Sequence, residues 1–274
     1  MDNQNIKSNH LSSKKATYFI KENVSIPESV KIIGNSAFKG RSKIRTVKLP
    51  KTLDRISSEA FAKCTNLKDI YIPDTVEMIG KNAFYNCSNV SCIVVPLNLT
   101  VINKGTFKEC RNLKNIIFSD AGKLEIIDEE AFCYCTSIKL LELPNTIKRI
   151  NAKAFYRCKS LEECNIPESV KYIGHEAFHH TGIRKLVLPE GLEYIGDSAF
   201  FKSVNLLEVT IPKSVEHLGK WVFHGCNRLK TITIAHDPKE IGDWIINKST
   251  IVRCYKNSSV DKYCKKFEFK TEYL

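Results

Sequence analysis

The stretch Pro73-Asp74-Thr75-Val76-Glu77-Met78-Ile79-Gly80-Lys81-Asn82-Ala83-Phe84-Tyr85-Asn86-Cys87 decides the fold, because its spacing recurs along nearly all of the 274-residue chain. Prolines stand at Pro27, Pro50, Pro73, Pro96, Pro144, Pro167, Pro189 and Pro212, mostly 23 residues apart and once 22, and Ser119 takes the proline place in the one long gap. Phenylalanine keeps the same beat at Phe38, Phe61, Phe84, Phe107, Phe132, Phe155, Phe178, Phe200 and Phe223. Five residues before each lies Ile or Leu, followed by Gly, Asn, Asp or Ser, the residue types that turn a chain most readily. Cys64, Cys87, Cys110, Cys135, Cys158 and Cys226 share a further column.

The consensus P-x-x-V-x-x-I-G-x-x-A-F-x-x-C-x-x-L-x-x-I-x-I has a physical reading. One coil cannot bury its own apolar columns, but stacked coils place each column against itself about 4.8 Å away and build a continuous core. The alternation in Leu67–Ile72 predicts a strand, ended by a proline that offers the sheet no donor. The segment around Ala60–Phe61 is expected to form one helical turn. A period in the twenties containing L-x-x-L-x-L is a leucine-rich repeat signature. The phased Pro, Ile-Gly, Ala-Phe and Cys columns resemble the BspA-like, or treponemal-type, leucine-rich repeat family over roughly Val24 to Ile246. The resemblance implies a right-handed solenoid with a parallel sheet on its concave face and short helical turns on its convex face. It also implies a role in surface adhesion or host and cell interaction, with no catalytic residues and no cofactor.

The expected organisation is residues 1–23 as a flexible segment and first strand, 24–250 as about ten coils, and 251–274 as a C-terminal cap. Tyr18-Phe19-Ile20 and Val24-Ser25-Ile26 are the first candidate strands, and residues 1 to about 15 are expected to be mobile. Two extra residues follow Ser119, and the coil before Pro189 is one residue short. Both changes are expected in loops, where they cost little.

Composition narrows the function. The hydrophobic fraction of 43% and charged fraction of 26% are those of a globular chain. No apolar run is long enough to cross a bilayer, and the polar start shows no signal peptide. Surface display, implied by the resemblance, and a cytoplasmic location, implied by that start, are both kept as expectations. The formal charge of +12 favours anionic partners. The cysteine column reads as small buried thiols, since ligands in a line cannot surround one metal ion. His179 and His224 share a column two coils apart, about 10 Å, too far to hold one ion. No nucleophile, base or phosphate-cradling constellation is present.

The concave face carries the binding candidates. Alternation puts Tyr71, Cys92, Val94, Ile117 and Leu140 outward on successive strands, an exposed apolar patch. Arg45, Lys68, Lys114, Lys139, Arg184 and Lys230 form a broken cationic rim beside it. The reading is a non-enzymatic module holding a protein or an anionic glycan on this face. The alternative is an intracellular scaffold that pairs with a second copy. Nucleic acid is disfavoured, because no aromatic residues interleave with the rim to stack bases.

Overall fold

The aromatic column sets the architecture. In the computed structural model, which describes residues 9–19 and 21–274, the Phe38, Phe61, Phe84, Phe107 and Phe132 rings stack at centroid separations of 5.1–5.4 Å. Phe155, Phe178, Phe200 and Phe223 do the same at 5.2–5.3 Å. These rings are fully buried, as are the flanking Ile and Leu columns. The two stacks belong to two compact units, residues up to Ile138 and residues from Lys139. Each unit is a parallel-strand β-solenoid with little helix.

Two parallel ladders line each coil. The narrow ladder uses two residues per coil, the second of them the Ile or Leu that precedes the turn residue. In the first unit it runs through His10–Leu11, Ile32–Ile33, Arg55–Ile56 and Met78–Ile79, and again through Val101–Ile102 and Ile126–Ile127. In the second unit it runs from Arg149–Ile150 through Tyr172–Ile173, Tyr194–Ile195 and His217–Leu218 to Glu240–Ile241. The wide ladder uses three or four residues and precedes the proline. It pairs Asn23–Ser25 with Thr46–Lys48 and Cys92–Val94 with Asn115–Ile117 in the first unit. In the second it pairs Leu140–Glu142 with Glu163–Asn165, and joins Glu208–Ile211, Thr231–Ile234, Ile251–Cys254 and Lys270–Tyr273.

The Ala-Phe side forms hydrogen-bonded turns where a helical turn was expected. Glu59 and Lys63 have φ of 57° and 61°, bracketing three residues, too few to propagate a helix. Ala60 and Ala62 N–H bond three residues back at 3.2 and 3.0 Å, while Phe61 and Lys63 N–H reach Ala83 and Tyr85 C=O of the next coil at 2.8 and 2.6 Å. This alternation recurs from coil to coil. The glycine after the Ile column answers a close approach: a Cβ on Gly196 would lie 2.6 Å from His175 N.

At the N-terminal end, His10–Leu11 already pair with Ile32–Ile33, and Ser13–Ala16 form a short helix whose cap, the Ser12 hydroxyl, accepts from Lys15 N–H at 3.3 Å. Tyr18 and Phe19 follow in a turn rather than a strand, and Phe19 meets Phe38 edge-on at 6.1 Å. Ile20, and most of the segment expected to be mobile, lie outside the described residues. At the other end, the helix Ser259–Phe267 packs with Trp244, Tyr263, Phe267 and Phe269 in ring contact. Inside it, the buried Asp261 carboxylate takes bonds from Lys265 Nζ at 2.8 Å and Asn257 N–H at 2.9 Å.

Candidate functional site

The cysteine column is structural. Sγ of Cys64, Cys87, Cys110 and Cys135 donates to the Phe carbonyl one coil back, at 3.0–3.2 Å. Burial pushes the Cys64 and Cys110 thiols up to about 12 and Cys87 well above its ordinary value, so these groups stay thiols and are poor nucleophiles and ligands. Where the column holds Thr181 and Ser203, the hydroxyls bond each other at 3.1 Å and Thr181 donates to Phe178 C=O at 3.1 Å. Among the described residues no group of three His, Cys, Asp or Glu side chains is placed to hold a metal ion, and no helix is long and apolar enough to cross a membrane.

Two aromatic ladders in the second unit offer no platform either. Tyr172, Tyr194 and His217 stack at 4.6 and 4.3 Å, with the Arg149 guanidinium 4.0 Å from the Tyr172 centroid. Ring faces are spent on each other. His179 sits between Tyr156 and Phe201 at 4.8 and 4.9 Å, and burial lowers its pKa to about 4.

The wide ladder differs, because its outward residues are open. In the first unit Tyr71, Val94 and Ile117 are 66%, 37% and 50% exposed. Register brings Val94 opposite Ile117 and Cys92, half-buried, opposite Asn115. Tyr71 lies on the coil between the paired strands, where the wide ladder is interrupted. There the Asp69 carboxylate stands in for ladder carbonyls, accepting from Ser91 N–H, Ser91 Oγ–H and Cys92 N–H at 3.0, 2.9 and 3.0 Å. Against partial burial, these bonds hold the Asp69 carboxyl below its ordinary value. Burial, aided by the Asp69 charge, raises the Cys92 thiol. Leu140 belongs to the second unit, 48% exposed and opposite Glu163, so its own register gives it a carboxylate neighbour rather than an apolar one.

In the first unit the rim's backbone is bonded coil to coil: Arg45 N–H to Glu22 C=O at 2.7 Å, Lys68 to Arg45 at 2.9 Å and Lys114 to Ser91 at 2.8 Å. In the second unit Lys139 and Leu207 C=O accept from Glu162 and Lys230 N–H, at 2.9 and 2.8 Å. Arg45 pairs with Glu22 at 3.2 Å and Arg184 with Glu162 at 3.1 Å. Among the described residues no carboxylate pairs with Lys48, Lys68, Lys114, Lys139 or Lys230.

Sequence reasoning missed a second opening. In the second unit, Arg184, Lys185, Val187, Leu207, Glu208 and Thr210 line part of a groove of about 600 Å³. Its sequence signal is the 22-residue interval from Pro167 to Pro189. That shortening falls where a loop was expected, in the irregular segment 181–183. Beyond it the segment Lys185–Leu188 keeps only the bridge from Lys185 to Glu163, and no backbone hydrogen bond among the described residues joins it to 207–211. The insertion after Ser119 does fall in a turn, closed by Gly122 N–H on Ser119 C=O at 3.0 Å.

With this geometry in hand the comparisons are direct. The BspA type leucine rich repeat region model matches residues 15–139 and 125–253, in six copies, and the chain belongs to that family. A leucine-rich repeat protein from Bacteroides ovatus is similar in structure, with TM-score 0.71 and 24% identity over 88% of this chain and 64% of that one, so the chain spans less than two thirds of that protein. The T. pallidum leucine rich repeat protein is 27% identical over 77% of this chain and 78% of its own, with TM-score 0.43. No curated protein matches.

Proposed function

We propose that the chain is a non-enzymatic binding module that holds an acidic protein segment on the wide-ladder face of its first unit, with residues 251–274 as C-terminal cap. Tyr71, Val94 and Ile117 anchor the partner, Cys92 floors the site, and Lys48, Lys68 and Lys114 steer it. The observation that carries this reading is the charge state of the face. Its two carboxylates are engaged, Glu22 by Arg45 and Asp69 by Ser91 and Cys92. Lys48 and Lys114 have no carboxylate partner among the described residues, and Lys68 meets Asp69 only as a neighbouring charge, without an ion pair. An apolar stripe beside unopposed cations complements an acidic polypeptide carrying apolar side chains. A purely anionic glycan would offer Tyr71 and Ile117 only the C–H faces of its rings. In the second unit Lys139 and Lys230 are likewise without a carboxylate partner among the described residues, whereas Leu140 faces Glu163 and Arg184 is paired with Glu162. The repeat family supports binding in general.

The test is fluorescence polarisation with an Asp/Glu-rich peptide containing Phe, against poly-glutamate as a charge-only control, at two salt concentrations. The Phe-containing peptide binds more tightly. Lys68→Glu with Lys114→Glu weakens it by about tenfold, the worth of two exposed charge contacts. Tyr71→Asp with Ile117→Asp abolishes it. Light scattering that shows a dimer dispersed by Tyr71→Asp would instead assign the face to self-association.

A further inference from the structure

The groove of the second unit is chemically unlike the face just described. One residue is missing between Thr181 and Ile183 relative to the preceding coil, where Cys158 and Leu161 keep the full spacing. Beyond it the wide ladder parts at Lys185–Leu188 and resumes at Glu208–Ile211. The parting leaves a cleft of about 600 Å³, inside the range of about 300–1,000 Å³ usual for ligand clefts.

The lining mixes apolar and polar side chains, and the polar ones at its centre are unspent. Lys185, Glu208, Thr210, Thr231 and Thr233 face this groove, and none of them makes a side-chain hydrogen bond or ion pair among the described residues. The two guanidinium groups at its margin are already offset, Arg184 by Glu162 at 3.1 Å and Arg253 by Glu272 at 3.0 Å. Val187, 62% exposed, and Leu207, 42% exposed, add apolar surface on one side. Each ligand class meets this set differently. A polyanion is repelled by Glu208 and Glu190. A polycation is repelled by Lys185. An apolar ligand strands three hydroxyls, an ammonium and a carboxylate, each at a cost. A ligand with many neutral hydroxyls satisfies them all: Glu208 accepts, Lys185 donates, the threonines do both, and Val187 and Leu207 take the C–H face of a ring.

We infer that this groove is a binding site for a neutral oligosaccharide. The inference does not depend on the acidic partner of the first unit, and Tyr71 lies outside the groove.

The experiment is isothermal titration of the full chain with maltotriose, cellotriose and chitotriose, with a sulfated disaccharide as anionic control. The expected result is saturable binding of at least one neutral trisaccharide, unchanged by salt and unchanged by Tyr71→Asp. Glu208→Gln should weaken it by about tenfold, as for loss of one charge-assisted hydrogen bond. Thr210→Val with Thr233→Val should weaken it further while circular dichroism and the thermal midpoint stay at the parent values. Saturable binding of the sulfated control alone, no saturable binding of any neutral probe, or full affinity in Glu208→Gln overturns the assignment. An acidic peptide competing with the sugar would likewise refute it.

Discussion

A solenoid core should couple only to its nearest neighbours, and the phenylalanine column allows that to be measured. Phe178 packs between Phe155 and Phe200 at 5.2 and 5.3 Å, and Phe200 between Phe178 and Phe223 at 5.3 Å, all fully buried. Replacing Phe200 by Leu keeps an apolar side chain but removes two ring contacts, each worth about 0.5–1.5 kcal/mol beyond area burial, so the single variant should lose about 1–3 kcal/mol. Phe178→Leu should lose the same. Combining them removes their shared contact once rather than twice, leaving a coupling of about 0.5–1.5 kcal/mol. Phe155 and Phe200 share no contact, and their double variant should be additive to within about 0.3–0.5 kcal/mol. Both tryptophans, Trp221 and Trp244, lie in the same unit and report its urea transition by fluorescence. Equal coupling for the neighbouring and separated pairs would refute the nearest-neighbour account, and so would absence of coupling between Phe178 and Phe200.

Three other outcomes are expected. Gly196→Ala puts a Cβ 2.6 Å from His175 N, and the thermal midpoint should fall by the equivalent of about 1–3 kcal/mol of overpacking. With a thiol reagent Cys92 should react first in the folded chain, while Cys64, Cys87 and Cys110 react only on unfolding, because burial holds them protonated. His179 has its pKa lowered from 6.5 to about 4. Its neutral form is favoured on folding, so the stability it allows is complete above pH 6.5 and is lost as pH falls towards 4. In His179→Phe that part of the acid-side loss should vanish, read as a flatter dependence of the urea midpoint on pH.

The columns were legible because each coil asks the same question of the same position. Phe84 and Cys87 are buried for the reason Phe61 and Cys64 are, and repetition multiplies a weak signal. What pairs with what was not legible. Asp69 reads as one more outward polar residue, yet its carboxylate replaces ladder carbonyls and interrupts the strand that carries Tyr71. The missing residue before Ile183 reads as a loop adjustment and falls in an irregular segment, but strand pairing depends on where both neighbours put their backbone groups, so the parting at Lys185–Leu188 and its groove were not legible. Whether the Ala-Phe segments would be turns or helix was not legible, because Glu59 and Lys63 are ordinary helix formers by propensity, and inter-coil bonding holds them at positive φ.

That last feature has an effect on how such a chain can change over generations. The described positions with left-handed backbone hold Ser, Glu, Lys, Asn, Tyr, Arg, His, Trp and Gly, but no Val, Ile or Thr. A branched Cβ is the one group this conformation penalises most. Along the turn edge, then, the solenoid is open to nearly any unbranched side chain and closed to one small class. Its surface chemistry there can drift through acid, base and aromatic while the coils beneath keep their register.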